Sequence, residues 1–229
     1  MQELKGISFS GIRYCYGEVC AVHGVNFFVR EKKIAAIVGP NGGGKSTLLK
    51  IAAGLLKPDA GTIGVAGNKN VGYVAQDHGI DISFPITVKE IVLSGTLYRS
   101  IKPFAKYDAE QKEKASQAMA KVGLAGFEDR GVNQLSGGQL KRAMIARALA
   151  SDAQVIILDE PDSSLDIDAA KELYQILLGL KTEKTILVAS HNIESILDIA
   201  DMAVYVNGTA KEFAQPSQLK AKLKEGILI

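Results

Sequence analysis

Residues 39–47 read Gly39-Pro40-Asn41-Gly42-Gly43-Gly44-Lys45-Ser46-Thr47. They fill the pattern Gly-x-x-x-x-Gly-Lys-Ser/Thr, the phosphate-cradling loop of nucleoside triphosphatases. The flanks fit. Ile34 to Val38 is a short apolar run of the kind that makes a buried strand, and Ser46 to Leu56 reads as a helix with Leu48, Leu49, Ile51, Ala52 and Leu55 as its apolar positions. A glycine loop between strand and helix turns backbone N–H groups and the positive end of the helix dipole towards phosphate oxygens. Bulky side chains there would block the approach. Gly39, Asn41, Gly42, Gly44, Lys45, Ser46 and Thr47 are therefore candidate phosphate-site residues. Lys45 would reach the β- and γ-phosphates and Ser46 would hold Mg²⁺. A glycine-rich turn without a ligand is the competing reading, and the strand and helix on either side count against it.

The rest of the chain supplies a body for such a loop. Its 229 residues, 47% hydrophobic and 23% charged, suit one large domain or a core carrying a small inserted part. A net charge of +2 gives no general reason to bind nucleic acid or anionic lipid. The N-terminus lacks the basic-then-apolar order of a signal peptide. The longest apolar runs, 34–38 and Val155 to Leu158, fall far below the roughly 18 residues that span a bilayer. A soluble subunit is expected, with any membrane role needing a partner. Cys15 and Cys20 lie near His23. Zinc is one reading, but a fourth ligand and a second close pair are missing. Cysteines packed in strands as two unpaired thiols are the other, and they fit a reducing, cytoplasmic compartment.

The pattern along the chain predicts a mixed architecture. Gly6 to Tyr14 and Val19 to Arg30 carry Val, Ile, Phe and Tyr and read as antiparallel strands around a Gly17 turn. Pro58 to Gly61 reads as a turn and Val71 to Ala75 as a strand ending at Gln76. Residues 77–132 read as a mostly α-helical insertion, including a polar helix over Asp108 to Val122. Helices follow at Gly137 to Ala150, Ile167 to Leu180, Asn192 to Ala200 and Gln215 to Glu225. Strands are expected at Val155 to Leu158, at Thr185 to Ala189 and, last, at Met202 to Val206. Apolar strands alternating with helices imply an α/β fold: a mostly parallel sheet covered on both faces, with an antiparallel part near the N-terminus. Residues 1–76 and 133–229 form the expected core of a single domain.

Val155-Ile-Ile-Leu-Asp159-Glu160 is four apolar residues followed by two carboxylates. A buried strand that ends in acids delivers them to the carboxyl edge of the sheet, where such folds bind ligands. Asp159 is assigned to Mg²⁺, and Glu160 to orienting or deprotonating an attacking water. Leu135-Ser136-Gly137-Gly138-Gln139 precedes the helix to Ala150. Ser136 is a good N-cap, and two glycines expose the first N–H groups of the helix, which makes a second anion site. Two glycines at a helix start are costly unless something must approach closely.

These residues together resemble the ATP-binding cassette (ABC) ATPases. Leu135 to Gln139 is similar, letter for letter, to the signature of that family. The resemblance implies further roles. Tyr16 stands where an aromatic residue stacks on adenine, and Gln76 where a glutamine touches Mg²⁺ and water. Ser163 to Asp166 resembles the loop that crosses between subunits, and His191 the histidine that senses the γ-phosphate. The implied arrangement is a homodimer with two ATP molecules sandwiched between the phosphate loop of one copy and Ser136, Gly137, Gly138, Gln139 and Asp166 of the other. The other basic residues, Lys141, Arg142 and Arg147, are expected on a solvated helix face.

The stretch Ile80 to Val88, with Phe84-Pro85-Ile86-Thr87-Val88 after an acidic residue, is similar to importer ATPases for zinc and manganese. In that family the region faces the membrane subunit, so transmembrane permease subunits and an extracytoplasmic substrate-binding protein are implied partners, with the chain on the cytoplasmic face of the membrane. Iron-chelate and cobalamin importers carry looser versions of the stretch. A soluble single-cassette ATPase of iron–sulfur assembly is the rival of another class. Packing of Phe84, Pro85 and Val88 within the insertion is the bland alternative.

Overall fold

In β3 (Ile34–Val38) all five side chains are buried, and they alternate between two cores. Ile34, Ala36 and Val38 enter one, and Ala35 and Ile37 the other. Successive side chains of a strand point to opposite faces, so a continuous apolar run requires cover on both sides. The same alternation holds in β6 (Val155–Asp159) and β7 (Thr185–Ala189). These strands are therefore the middle layer of the molecule.

A computed structural model describes residues 5–65, 70–76, 84–97 and 106–226. The first sheet holds β1 (Gly6–Tyr16), β2 (Val19–Arg30) and β4 (Ala60–Val65) in the antiparallel order β2-β1-β4. The second runs β5-β6-β7-β3-β8-β9, with β5 at Val71–Val74, β8 at Met202–Asn207 and β9 at Thr209–Phe213. It is parallel except for the final β8–β9 pair. On one face lie α1 (Lys45–Ala52) and the antiparallel sheet, sharing a core of Ile7, Val25, Leu48, Ile157 and Val204. On the other lie α2 (Val88–Ser94), α3 (Ala109–Lys121), α4 (Gly137–Ala150), α5 (Ile167–Leu180), α6 (Ile193–Ile199) and α7 (Pro216–Lys224).

Local chemistry sets the helix starts. Thr87 with Glu90, Asp108 with Gln111 and Ser136 with Gln139 form capping boxes, each satisfying two otherwise open N–H groups. Asp166 caps α5 by accepting from Ala169 N–H at 2.8 Å.

Several sequence expectations need amendment. Residues 58–61 do not form an isolated turn, because Ala60 and Gly61 open β4, whose two glycines hide its strand pattern. Met202 to Val206 is not the last strand. The edge strand β9 follows, and its polar sequence Thr-Ala-Lys-Glu-Phe lacks the apolar alternation that would announce it. The stretch Ile80 to Val88 is described only from Phe84 onwards, and residues 77–83 and 98–105 of the expected insertion lie outside the described residues. Cys15 and Cys20 are not unpaired thiols. They are cross-strand neighbours in the β1–β2 hairpin and form a disulfide. The pairing follows from register, which the spacing of five does not reveal, and it removes both the zinc reading and the compartment argument built on free thiols.

Candidate functional site

Four neighbouring parallel strands, β5, β6, β7 and β3, end at one edge of the sheet, and each delivers a predicted residue there. The loop after β3 is shaped by its own neighbours. A Cβ on Gly39 would lie 2.0 Å from the Val206 carbonyl oxygen, and one on Gly44 would lie 2.5 Å from that of Ala21. With φ of 152° and 96°, both positions also favour glycine over any other residue. The glycines thus serve the fit of the loop against β8 and β2 as well as the approach of a ligand.

Gly44 is the N-cap of α1 and provides no side-chain cap, which leaves the N–H groups of the first turn open to an anion. Lys45, only 6% exposed, folds back over the loop and donates to the carbonyls of Gly39 at 3.0 Å and Pro40 at 2.9 Å. Burial lowers its pKa from the ordinary lysine value, while the nearby carboxylates of Glu160 and Asp159 pull it the other way. Ser46 donates to Asp159 Oδ1 at 3.0 Å. Tyr73, which sequence reasoning missed, donates to Asp159 Oδ2 at 3.0 Å. Its own pKa is pushed up, first by burial and then by the Asp159 charge. A hydroxyl-bearing residue in the strand next to an acid-ended one was the signal that could have found it.

Glu160 departs from the strand with φ of 51°, a left-handed conformation that is unfavourable for a residue with a side chain. Its N–H is anchored to the Ala189 carbonyl at 2.8 Å. The turned backbone directs its carboxylate between two loops. Gln76 Nε2 donates to Oε2 at 2.5 Å, and His191 Nε2 lies 2.5 Å from Oε1. The structure thus brings Lys45, Ser46, Gln76, Asp159, Glu160 and His191 together.

Tyr16 sits apart at the hairpin end, 53% exposed, with its hydroxyl 3.5 Å from Thr47 Oγ1 and its ring edge-on to Tyr14. Asn41 and Gly42 are exposed on the loop. Ser136 and Gln139 bond to each other at the start of α4, with Gly137 exposed between them. Asp166 joins Glu160, Asp162 and His191 in lining an open cleft of about 350 Å³. A second group that sequence reasoning missed braces this cleft. Tyr174 and Ser190 both donate to Asp162 Oδ2, at 2.8 and 2.7 Å, and Ser190 also accepts from Asn192 N–H, on the far side of His191.

The solvated face expected for α4 is only partly present. Arg147 is exposed, but Arg142 is largely enclosed in an ion pair with Glu172, and Lys141 is 7% exposed. Lys141 Nζ donates to the Gln76 carbonyl at 2.9 Å. Helical position alone does not distinguish an outward lysine from one drawn in by a loop carbonyl.

A phosphate loop on a mostly parallel sheet, with a buried aspartate beside Ser46 and a clamped glutamate beyond it, defines a nucleoside triphosphatase of the P-loop class. The ABC transporter family profile matches residues 22–163. The manganese transport system ATP-binding protein MntA of Synechocystis sp. is 34% identical over 89% of this chain and 82% of its own length. The zinc uptake system ATP-binding protein ZurA of Listeria innocua is 32% identical over 91% of this chain and 88% of its own. A nucleotide-free ATP-binding cassette from an ABC transporter superposes with a TM-score of 0.86, 27% identity, and coverage of 98% of this chain and 97% of that one. A bacterial ABC transporter cassette solved as a dimer gives 0.75 at 27% identity, covering 90% and 98%. The chain belongs to the ABC transporter family and is an ATPase, the motor part of such a system. Among the described residues no helix is long and apolar enough to cross a membrane.

Proposed function

We propose that this chain hydrolyses ATP as one half of a homodimer and thereby drives zinc or manganese import through separate permease subunits at the cytoplasmic face of the membrane. An extracytoplasmic binding protein delivers the ion. The observation that carries the hydrolytic part is Glu160, held between Gln76 and His191 on the edge that also bears Lys45. A carboxylate so placed accepts the proton of the attacking water, a contribution of roughly 10²–10⁴-fold in rate. Lys45 and the open N–H groups of α1 bind the phosphates, and Tyr16 offers its ring to the adenine.

Mg²⁺ fits the donor set. Ser46 Oγ and Asp159 Oδ1 are hard oxygen donors 3.0 Å apart. Ser46 and Asp159 would hold the ion, with Gln76 contributing from just beyond β5, and the ion would neutralise charge on the β- and γ-phosphates.

The dimer reading draws support from Gly137, whereas a Cβ on Gly138 would crowd Ala169 Cβ at 3.2 Å. A Cβ on Gly137 would meet nothing nearer than Leu165 Cδ2 at 3.8 Å, so packing within this chain does not demand a glycine there. Ile167, 74% exposed beside Asp166, adds an apolar surface at the same place. The permease reading draws support from Phe84. Val88 is fully buried in the helical layer, yet Phe84 is 62% exposed and so is not explained by packing. The ion itself is assigned from the manganese and zinc relatives, which match over most of the chain.

The test is elemental analysis of the native host carrying Glu160→Gln, grown in metal-limited medium. A selective fall in cellular zinc or manganese is the expected result and would name the cargo. An unchanged metal profile, with hydrolysis abolished in the purified variant, would overturn the metal assignment and leave the ATPase intact.

A further inference from the structure

Lys141 has no part in the site as the motifs define it, yet it is almost completely enclosed. Burying an ammonium group is expensive unless its donors are used, and Met or Leu would fill the same space without that cost. One of its contacts is specific. Nζ donates to the backbone carbonyl of Gln76 at 2.9 Å, across the gap between α4 and the residue that leaves β5. The side chain of that same Gln76 donates to Glu160 at 2.5 Å. At the other end, α4 begins with Gly137 and Gly138 behind the Ser136 cap, little more than one helical turn before Lys141.

We infer that Lys141 is a positioning residue for hydrolysis. It fixes Gln76 against Glu160 and so makes the placement of the catalytic carboxylate depend on where the glycine-rich start of α4 sits. This rests on the reading of Glu160 as the hydrolytic base. Two of the links are hydrogen bonds and the third is a single rigid helix, so a shift of α4 is carried to Gln76 without passing through the sheet. When a second copy engages Ser136 and Gly138, the start of α4 is seated, and the seated helix sets Gln76. A carboxylate displaced by about 1 Å can lose up to ~10²-fold in rate, so a weak tether is sufficient to gate turnover.

The experiment uses the full chain and four variants: Lys141→Met, Lys141→Arg, Gln76→Ala and the double variant Lys141→Met/Gln76→Ala. Nucleotide affinity is measured with a fluorescent ATP analogue, turnover against ATP concentration, and folding by thermal melting. Lys141→Met is expected to bind nucleotide as wild type does, to keep its half-saturating ATP concentration and to lose about tenfold or more in kcat. Lys141→Arg, which keeps a charged donor, should recover most of that loss. In the Gln76→Ala background Lys141→Met should add little, because its effect runs through the side chain that is gone. Wild-type kcat in Lys141→Met overturns the inference, as does equal loss in Lys141→Met and Lys141→Arg, or full additivity in the double variant. If Lys141→Met does not fold, Lys141→Gln is read by the same criteria. Glu160→Gln separates the two levels. Its retention of hydrolysis would remove the underlying reading, whereas its inactivity beside a normal Lys141→Met would remove only the tether.

Discussion

Tyr16 stands half exposed where β1 ends, its hydroxyl near Thr47 in the first turn of α1 and its ring edge against Tyr14. An aromatic ring exposed beside a phosphate loop offers a stacking surface, and base–aromatic stacking contributes about 1–3 kcal/mol per base. Tyr16→Ala should weaken ATP binding by about that much, with little effect on folding because the ring is largely solvated. Isothermal titration of wild type and variant checks this, and an unchanged affinity would mean that adenine lies elsewhere. Side chains that act through chain direction were readable before any coordinates. Asp159 and Glu160 had to reach the edge because four apolar residues precede them, and Lys45 had to stand where the loop meets α1. What stayed hidden were contacts made between distant segments. Tyr73 meets Asp159, and Lys141 meets Gln76, across sequence separations that no local pattern encodes. The left-handed backbone at Glu160 is equally silent in the sequence, since a carboxylate residue does not advertise it as glycine would.

β3 is held at its entry by a carboxylate from the residue just before β8. Asp201 accepts from Ile34 N–H at 2.9 Å, from Lys181 at the end of α5 at 2.8 Å and from Lys33 at 3.2 Å. Burial alone would raise its pKa, but the Lys181 ammonium, the Ile34 N–H and the Lys33 ammonium together bring it below the ordinary 3.8. Its folded value therefore lies under its unfolded one. The stabilisation is fully present above the unfolded pKa and is lost as pH falls through the folded value. Asp201→Asn should cost roughly 1.5–3 kcal/mol at neutral pH, the range for a hydrogen bond to a charged group. The gap between variant and wild type should close as the medium is taken well below pH 3.8. Urea unfolding at pH 7 and at low pH measures both, and equal stability at neutral pH would contradict the account. Elements of this kind were legible where burial is two-sided, as in β3, β6 and β7, whose apolar runs are unbroken. β4 and β9 were not, because glycines thin the pattern of one and solvent keeps the other polar.

The proposed dimer puts a definite demand on Ser136. It is exposed at the head of α4, and its main internal duty is to cap that helix, worth about 1 kcal/mol. Ser136→Arg should therefore fold and bind one nucleotide per chain normally, yet fail to close on a second copy. Combined with Glu160→Gln and saturating Mg-ATP, it should remain monomeric by light scattering, whereas Glu160→Gln alone becomes dimeric. Dimer formation in the double variant would argue against a role for Ser136 across the interface.

Among the described strands β5 lies at the outer edge of the six-stranded sheet, paired with β6 alone, and the chain returns directly beside it after α2, α3 and α4. The described helices between these strands, α2, α3 and α4, all pack on one face of the sheet. Apart from Gln76 and α4, which are tied to the Glu160 cluster, such a segment can lengthen, shorten or change its surface while strand order persists. The fold therefore permits one engine to be fitted to different partners, and chimaeras are best joined after Gln76 and before α4.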